Sequence, residues 1–222
     1  MAEPVLVIAP HPDDEILGVG GTIAKHAAAG NQVHVLTVSG HMPPLYAEEH
    51  YRRTLEEAGK AHAVVGAASS RFLDIPATML GDVPVHVLNG RIAEVIREIA
   101  PAIVLVPYPD RHVDHRIVFE SAMVGTRPVG VGAGIRLVAA YETLSETHWN
   151  APHIEPNFTP NWISDISATL ETKLAALRCY ESQVQAFPGP RSLEAVAALA
   201  TFRGTQAGFA AGEAFQVVRM RS

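Results

Sequence analysis

A short run of ligand-type and proton-transferring side chains stands near the start of the chain. Residues 11–15 read His-Pro-Asp-Asp-Glu and follow the apolar run 5–9 directly. That run predicts a parallel strand buried on both faces, and ligands bind beyond the carboxyl ends of such strands. His11 and Asp14 could therefore point at one spot. The alternative is that Asp13 or Asp14 merely caps the helix that follows.

A second cluster of the same type follows a later strand. Residues 112–115 read His-Val-Asp-His and come shortly after the apolar run 102–106. Because parallel strands end at the same edge of a sheet, we expect the two clusters to share one crevice. One carboxylate and two imidazoles there are typical of a catalytic zinc site with a position left open for water. Taken alone, this cluster could also be surface histidines at a helix start.

The elements that must position these clusters alternate between strand and helix. This pattern predicts an α/β fold with a Rossmann-like, mostly parallel sheet and helices on both faces. The predicted strands are 5–9, 32–39, 71–75, 102–106, 137–141 and 214–219, and the predicted helices are 16–29, 46–65, 85–100, 167–182 and 193–203. Residues 142–161, with Pro152, Pro156 and Pro160, predict a long loop that lines a site. We expect a single domain, 1–222.

Composition narrows the class of protein. The 222 residues are 48% hydrophobic and 18% charged, which excludes a disordered chain, and a chain of this length needs no metal merely to fold. Its 17 Lys+Arg against 23 Asp+Glu give a net charge of −6, so we expect no nucleic acid and no membrane as partner. The single cysteine, Cys179, and an N-terminus unlike a signal peptide favour a cytoplasmic protein. The low charged fraction favours a homo-oligomer.

Five segments occur together in an order that matches a known family. They read Ala-Pro-His-Pro-Asp-Asp-Glu at 9–15, Asp-Arg-His-Val-Asp-His-Arg at 110–116, Tyr-Glu-Ser-Gln at 180–183, Arg-Gly at 203–204 and Glu-Ala-Phe at 213–215. With them the chain resembles the LmbE-like, PIG-L-type deacetylases, which are zinc-dependent hydrolases of N-acetyl sugars. The resemblance implies an N-acetylglucosamine-type deacetylase that removes an N-acetyl or longer N-acyl group from an amino sugar or sugar conjugate.

The resemblance also implies a metal set and a general base. His11, Asp14 and His115 would bind Zn2+, although such donors also accept Fe2+, Mn2+, Co2+ or Ni2+. Asp13 would take a proton from the water that attacks the amide carbonyl. Because Asp13 adjoins the ligand Asp14, one turn would serve both metal and base.

Three further positions take roles from the same resemblance. His112, as an imidazolium, would stabilise the oxyanion and could pass a proton to the leaving amine. Asp114 would orient His112 and keep it charged. Arg53 would contact the sugar or its acidic substituent; the alternative is an exposed helix charge paired with Glu56 or Glu57.

The chain departs from the family pattern at three places. Val113 replaces a proline between the histidine and the aspartate, which leaves the polar groups in place. Ala77 stands where an aspartate that recognises the sugar is usual, so the identity of the sugar is left open. His148 lies in the predicted loop, where it could touch substrate or simply face solvent.

Two other functions are weighed against this interpretation. A dinucleotide-binding loop has the pattern G-x-G-x-x-G. Starting from the glycines at 18 and 20, its last glycine would be residue 23, but that residue is Ile23. These glycines would instead let the first helix pack closely on the sheet. A non-catalytic metal-binding protein of the same fold would not need Asp13 or His112.

Overall fold

A single mixed sheet runs through the molecule. The computed structural model describes residues 2–151 and 153–221, so Pro152 of the predicted loop lies outside the described residues. Within these ranges seven strands form one sheet in the order β3-β2-β1-β4-β5-β7-β6. β1 to β5 pair in parallel, and β7 runs antiparallel to both β5 and β6. This confirms the predicted α/β fold with a mostly parallel sheet.

The predicted strands and helices are all present, and the structure adds a helix at 113–125 where none was predicted. The strands are β1 (Pro4–Ala9), β2 (Gln32–Gly40), β3 (Ser69–Pro76), β4 (Ile103–Pro107), β5 (Leu137–Tyr141), β6 (Trp162–Asp165) and β7 (Gly212–Met220). The helices are α1 (Asp14–Ala28), α2 (Glu48–Val65), α3 (Val85–Ile99), α4 (Val113–Gly125), α5 (Leu144–Thr147), α6 (Leu170–Arg178) and α7 (Leu193–Thr205). Short 3-10 turns occupy Leu80–Asp82 and Gly130–Gly134.

Helices cover both faces of the sheet, which explains why β1 is apolar throughout. Val5 and Val7 face a core shared with α1, α2, α6 and α7, while Leu6 and Ile8 face a core shared with α3 and α4. All four side chains are buried. Since successive residues of a strand point to opposite faces, a strand covered on both sides reads as a continuous hydrophobic run.

The glycines of α1 serve close packing. A Cβ at Gly18 would collide with the ring of Tyr141 on β5, and one at Gly21 would come within 3 Å of Ile166. Helix α1 therefore lies closer to its neighbours than a residue with a side chain at these positions would permit. This confirms the packing interpretation of the glycine run.

The structure corrects three sequence predictions. The loop predicted for 142–161 contains the short helix α5, and the strand β6, which follows it, was not predicted. β6 forms because its four residues pair with β7, a long-range contact that leaves no periodic signal in so short a segment. Helix α6 begins later than predicted, because Asp165 accepts hydrogen bonds from the backbone N–H and the hydroxyl of Ser167, which form a turn before the helix.

Among the described residues, no helix is both long and apolar enough to cross a membrane.

Candidate active site

The two sequence clusters meet at the carboxyl ends of neighbouring strands. β1 and β4 are adjacent and parallel; residues 11–15 follow β1, and residues 112–115 open α4 after β4. Oδ2 of Asp14 lies 3.1 Å from Nδ1 of His11 and 3.3 Å from Nε2 of His115. All three side chains are buried. The fold thus brings both clusters into one crevice.

The donors in this crevice fit a metal ion. Ligand atoms of His11, His112 and His115 lie within 4.8 Å of one another, and Oδ2 of Asp14 lies close to two of these rings. Nε2 of His115 is buried and has no hydrogen-bond partner among the described residues. A buried ring nitrogen without a hydrogen bond is uncommon and suits a metal ligand. His11 and His115 are common to both possible sets, which differ in whether Asp14 or His112 is the third donor.

The cluster is held together by opposite charges. Burial alone would lower the pKa of His11, but hydrogen bonds to Asp114 and Asp14 outweigh it and raise the pKa to about 9. For His115, burial is likewise outweighed by Asp14 and Asp110, which raise the pKa to about 10. Burial opposes ionisation of Asp14, yet His115 and His11 hold its pKa well below the usual range. A divalent cation would take the place of these ring protons.

Asp13 has a buried carboxylate oxygen that accepts no hydrogen bond from the described residues. The residue caps α1 with φ 105°, in the left-handed region that a non-glycine residue rarely adopts. Its Oδ2 has no hydrogen-bond partner among the described residues, and Nε of Arg191 lies 3.5 Å away. Burial raises the pKa of Asp13 to about 7; Arg191 opposes the rise, and Asp14 and Glu15 reinforce it. A carboxylate with such a pKa can both accept and release a proton near neutral pH.

The structure corrects the expected pairing of His112 with Asp114. Oδ2 of Asp114 lies 2.8 Å from Nε2 of His11 and accepts a hydrogen bond from the backbone N–H of Thr78, so this carboxylate reaches across the crevice to another ring. His112 is fixed by backbone instead: its Nδ1 accepts a hydrogen bond of 3.2 Å from the N–H of Asp114. Burial and the charges of His11 and His115 lower the pKa of His112 to about 4. In the metal-free protein at pH 7 the ring is therefore neutral.

This contact also fixes where His112 carries its proton. A backbone N–H can only donate, so Nδ1 of His112 must be the acceptor. In a neutral imidazole the proton then sits on Nε2, which makes that nitrogen a hydrogen-bond donor. The ring can still stabilise a developing oxyanion, as a neutral donor.

Sequence reasoning gave no role to Asp110, although the residue opens the second motif. Its Oδ2 lies 3.0 Å from Nδ1 of His115 and accepts a hydrogen bond from the hydroxyl of Thr147, while Oδ1 accepts one from the backbone N–H of His112. A carboxylate behind a ligand histidine orients the ring and increases its basicity. The signal available in the sequence was the acidic residue five positions before His115.

Arg191 is the second residue that sequence reasoning missed. It follows the Pro-Gly-Pro of residues 188–190, the only local feature that marked its position. Besides facing Asp13, it donates to Oγ of Ser145 at 3.3 Å and to Oε1 of Gln183 at 3.1 Å. No spacing rule connects a residue of this loop with a turn 178 positions earlier (191 − 13).

The remaining predicted positions lie around the crevice without entering its charge cluster. Nε of Arg53 donates to Oε1 of Glu57 at 2.9 Å, and the side chain is 54% exposed, which is the alternative raised from the sequence. Nε2 of His148 lies 2.8 Å from Oε2 of Glu142. Ala77 is buried, beside the Thr78 N–H that binds Asp114. A substrate contact by Arg53 or His148 stays a prediction.

Comparison with known proteins identifies the family. Residues 6–124, more than half of the chain, match the PIG-L family, described as GlcNAc-PI de-N-acetylase. The chain belongs to the PIG-L family. This confirms the resemblance drawn from the five motifs.

The relatives of this chain differ in the reaction that their names describe. The chain is 34% identical over 194 residues to diacetylchitobiose deacetylase of Thermococcus kodakarensis, covering 81% of this chain and 69% of that one. It is 27% identical over 195 residues to 4-oxalmesaconate hydratase of Pseudomonas putida, covering 80% and 73%. The N,N'-diacetylchitobiose deacetylase of Pyrococcus horikoshii has the same fold, with a TM-score of 0.78 at 24% identity over 98% of this chain and 84% of that one.

Proposed function

We propose that this protein is a zinc-dependent hydrolase that removes an N-acetyl or longer N-acyl group from an amino sugar or sugar conjugate. The observation that carries the proposal is Asp13, a buried carboxylate beside the His11, Asp14 and His115 cluster. Its Oδ2 accepts no hydrogen bond from the described residues and lies 3.5 Å from Nε of Arg191. The deacetylase named among the relatives at 34% identity supports the class of substrate. Metal binding alone would not require such a carboxylate.

His11, Asp14 and His115 would hold the metal. Asp14 is preferred to His112 as the third ligand because its Oδ2 lies within 3.3 Å of both other donors, and this choice leaves His112 to act on the substrate. Zinc, when bound, supplies a Lewis acid that polarises the amide carbonyl and lowers the pKa of water from 15.7 toward ~7. Asp110 and Asp114, each bonded to one of the histidines, would set the orientation of those rings.

Asp13 and His112 would carry the proton transfer and the charge. Asp13, whose pKa in the metal-free protein is raised to about 7, accepts the proton of the attacking water and returns it to the nitrogen of the leaving amine. Nε2–H of His112 donates to the carbonyl oxygen as negative charge develops there, and one well-placed donor contributes about 3 to 4 kcal/mol. The sum of these steps consumes one water and yields an amine and a carboxylic acid.

The hydratase named among the relatives makes a different reaction a second candidate. Addition of water to a polycarboxylate substrate would need unpaired cations around the crevice. Three arginines already have carboxylate partners: Arg53 on α2 pairs with Glu57, and at the crevice Arg111 pairs with Glu146 and Arg191 with Asp13. This pairing favours an uncharged amide group as the substrate.

Acetate release from a panel of N-acetylglucosamine conjugates tests the proposal, with zinc-loaded protein and Asp13→Ala as the control. We expect release by the wild type and none above background by the variant. Wild type inactive on the whole N-acyl panel, or Asp13→Ala as active as wild type, would overturn the catalytic assignment. Replacing zinc with Fe2+, Mn2+, Co2+ or Ni2+ and comparing rates would identify the preferred metal.

We further propose that residues 1–222 form one domain, and that the protein is a cytoplasmic homo-oligomer acting on small molecules. Support for the single domain is the sheet, which runs from β3 to β6 without interruption. The mass in solution, measured by light scattering, tests the oligomeric state. A mass of 23.8 kDa, that of one chain, would contradict it.

A further inference from the structure

The turn that presents Asp13 needs support from outside itself. A non-glycine residue at φ 105° stays in this conformation only where its surroundings enforce it. The helix that follows holds only the carbonyl of Asp13, which accepts hydrogen bonds from the backbone N–H groups of Ile16 and Leu17; the Asp13 side chain makes no capping hydrogen bond to α1. Other contacts must therefore hold the N–H and the carboxylate of Asp13.

One such contact reaches the backbone of Asp13. The N–H of Asp13 donates to Oε2 of Glu15 at 3.2 Å, and the hydroxyl of Tyr180 donates to Oε1 of Glu15 at 2.5 Å. Nε2 of His62 lies 3.2 Å from the same Oε1. Glu15 and Tyr180 have no exposed surface, and His62 is 3% exposed. These contacts hold the Glu15 carboxylate in one orientation, and in that orientation it accepts the hydrogen bond of the Asp13 N–H.

A second contact reaches the carboxylate of Asp13. Oε1 of Gln183 accepts a hydrogen bond from Nη1 of Arg191, and Nε of Arg191 lies 3.5 Å from Oδ2 of Asp13. Ser145 accepts from the same Nε. Gln183 therefore helps to aim the guanidinium at the carboxylate.

Both contacts start from one short segment, 180–183, which reads Tyr-Glu-Ser-Gln. It follows α6 as a turn, with the N–H of Gln183 donating to the carbonyl of Tyr180 at 2.9 Å. Ser182 anchors the segment to α2 by two hydrogen bonds to Glu57. The segment lies far from the metal cluster in sequence, yet its first and last residues both act on Asp13.

We propose that residues 180–183 form a positioning clamp for Asp13, which holds its backbone through Tyr180 and Glu15 and its carboxylate through Gln183 and Arg191. The inference rests on the proposed function, since it gives the clamp the task of aiming the general base. It assigns positioning roles to Tyr180 and Gln183, neither of which touches the metal cluster or the substrate. Burial and the neighbouring Glu15 raise the pKa of Tyr180 well above its usual value, so the hydroxyl keeps the proton it donates.

The test compares two buried tyrosines. Tyr180→Phe removes the hydroxyl that holds Glu15; Tyr141→Phe removes an equally buried hydroxyl that donates to the carbonyl of Ile8. For zinc-loaded Tyr180→Phe we expect kcat to fall about tenfold, because a misplaced base slows proton transfer, with KM and zinc affinity within about twofold of wild type. Tyr141→Phe should lose a similar amount of thermal stability and keep its kcat.

Gln183→Leu is a second variant, at a half-buried position, and it removes the oxygen that accepts from Arg191. It tests the clamp even if Tyr180→Phe fails to fold. We again expect a loss confined to kcat. Unchanged kcat in the folded variants, or equal losses in Tyr180→Phe and Tyr141→Phe, would overturn the clamp while leaving the proposed function intact. Weakened zinc binding in either variant would mean that the substitution acts on the ligand Asp14 and not on Asp13, and this would also overturn the clamp. A wild type without hydrolase activity would overturn the proposed function, and the clamp with it.

Discussion

The crevice has two sides that differ in the groups they expose to solvent. The strand-end side, residues 11–15 and 110–115, carries His11, Asp14 and His115, all buried and joined by short contacts. The loop side, residues 142–150 and 185–191, is buried over most of 142–147 but exposes two large apolar side chains, with Trp149 58% and Phe187 67% exposed. Strand ends fix groups that must keep their geometry, whereas exposed loop groups can be exchanged at little cost to the fold. We infer that the strand-end side performs the chemistry and that the loop side selects the substrate.

Arg111 connects the two sides. Its guanidinium lies 5.4 Å from the ring centre of Trp149 and 2.9 Å from Oε2 of Glu146, and the residue adjoins His112. A planar cation against an aromatic face holds the exposed ring in place. Trp149 is therefore positioned near the reacting groups although it is open to solvent.

The largest effect is expected from a ligand on the strand-end side. His115→Ala should weaken zinc binding by more than about 100-fold and abolish acetate release, since a buried donor is lost. His34→Ala, at a half-buried histidine that pairs with Ser69 on β3, is the control and should match wild type. Zinc titration with a competing chelator measures both. Wild-type zinc affinity in His115→Ala would exclude this residue as a ligand.

The second expected effect is a pH dependence of metal binding. In the metal-free protein the pKa values of His11 and His115 are raised to about 9 and 10, so at pH 7 both rings are protonated. Binding of zinc should release about two protons, and its affinity should rise about 100-fold per pH unit near neutrality. Calorimetry in buffers of different ionisation enthalpy counts the protons. Affinity independent of pH would show that the rings do not bind the metal.

The same raised pKa values predict how stability depends on pH without metal. A group whose pKa is higher in the folded state stabilises the fold fully below its unfolded pKa, here 6.5, and that contribution is lost as the pH rises through the folded value. The metal-free protein should therefore lose stability between about pH 7 and 10. Urea titrations across this range, repeated with zinc, measure the loss; stability that rises with pH would contradict the ion pairing.

A smaller effect is expected from the carboxylate behind His115. Asp110→Asn keeps the shape of the side chain but removes the charge that orients the ring, and should weaken zinc binding about 10- to 100-fold. Asp165→Asn, at a carboxylate that binds only the Ser167 turn and lies outside the crevice, is a matched control. Equal zinc affinities in the two variants would show that Asp110 does not support metal binding by His115.

The smallest effect is expected on the loop side. Trp149→Ala should raise KM about five- to tenfold and leave kcat within about twofold, because a stacked ring contributes about 1 kcal/mol to binding. Phe202→Ala removes a comparably exposed ring from α7 and should change neither constant. A loss in kcat instead of KM for Trp149→Ala would contradict the division between the two sides.

The strand-end side could be predicted from the sequence because its signals are local. β1 and β4 are continuous apolar runs, and each is followed within a few residues by a compact polar cluster. Parallel pairing then places both clusters at one edge, whatever the details of packing. The family, the fold and the convergence of His11, Asp14 and His115 all followed from those signals.

The loop side and the contacts between side chains could not be predicted in this way. The strand β6 depends on pairing with β7, about 50 residues further along the chain, and Arg191 reaches Asp13 only once the loops are folded. Spacing placed Asp114 two residues from His112, but it could not show that the carboxylate reaches back to His11, 103 positions away. Which side chains of the crevice contact one another depends on their positions in the folded chain and not on their spacing in the sequence.

The most direct test of the central claim compares wild type with Asp13→Asn at equal zinc occupancy. The substitution keeps the size of the side chain and removes its ability to accept a proton. We predict unchanged zinc content and a fall of about 10²- to 10⁴-fold in the rate of acetate release, the range contributed by a general base. An Asp13→Asn protein that is fully loaded with zinc and turns over as fast as wild type would contradict the account.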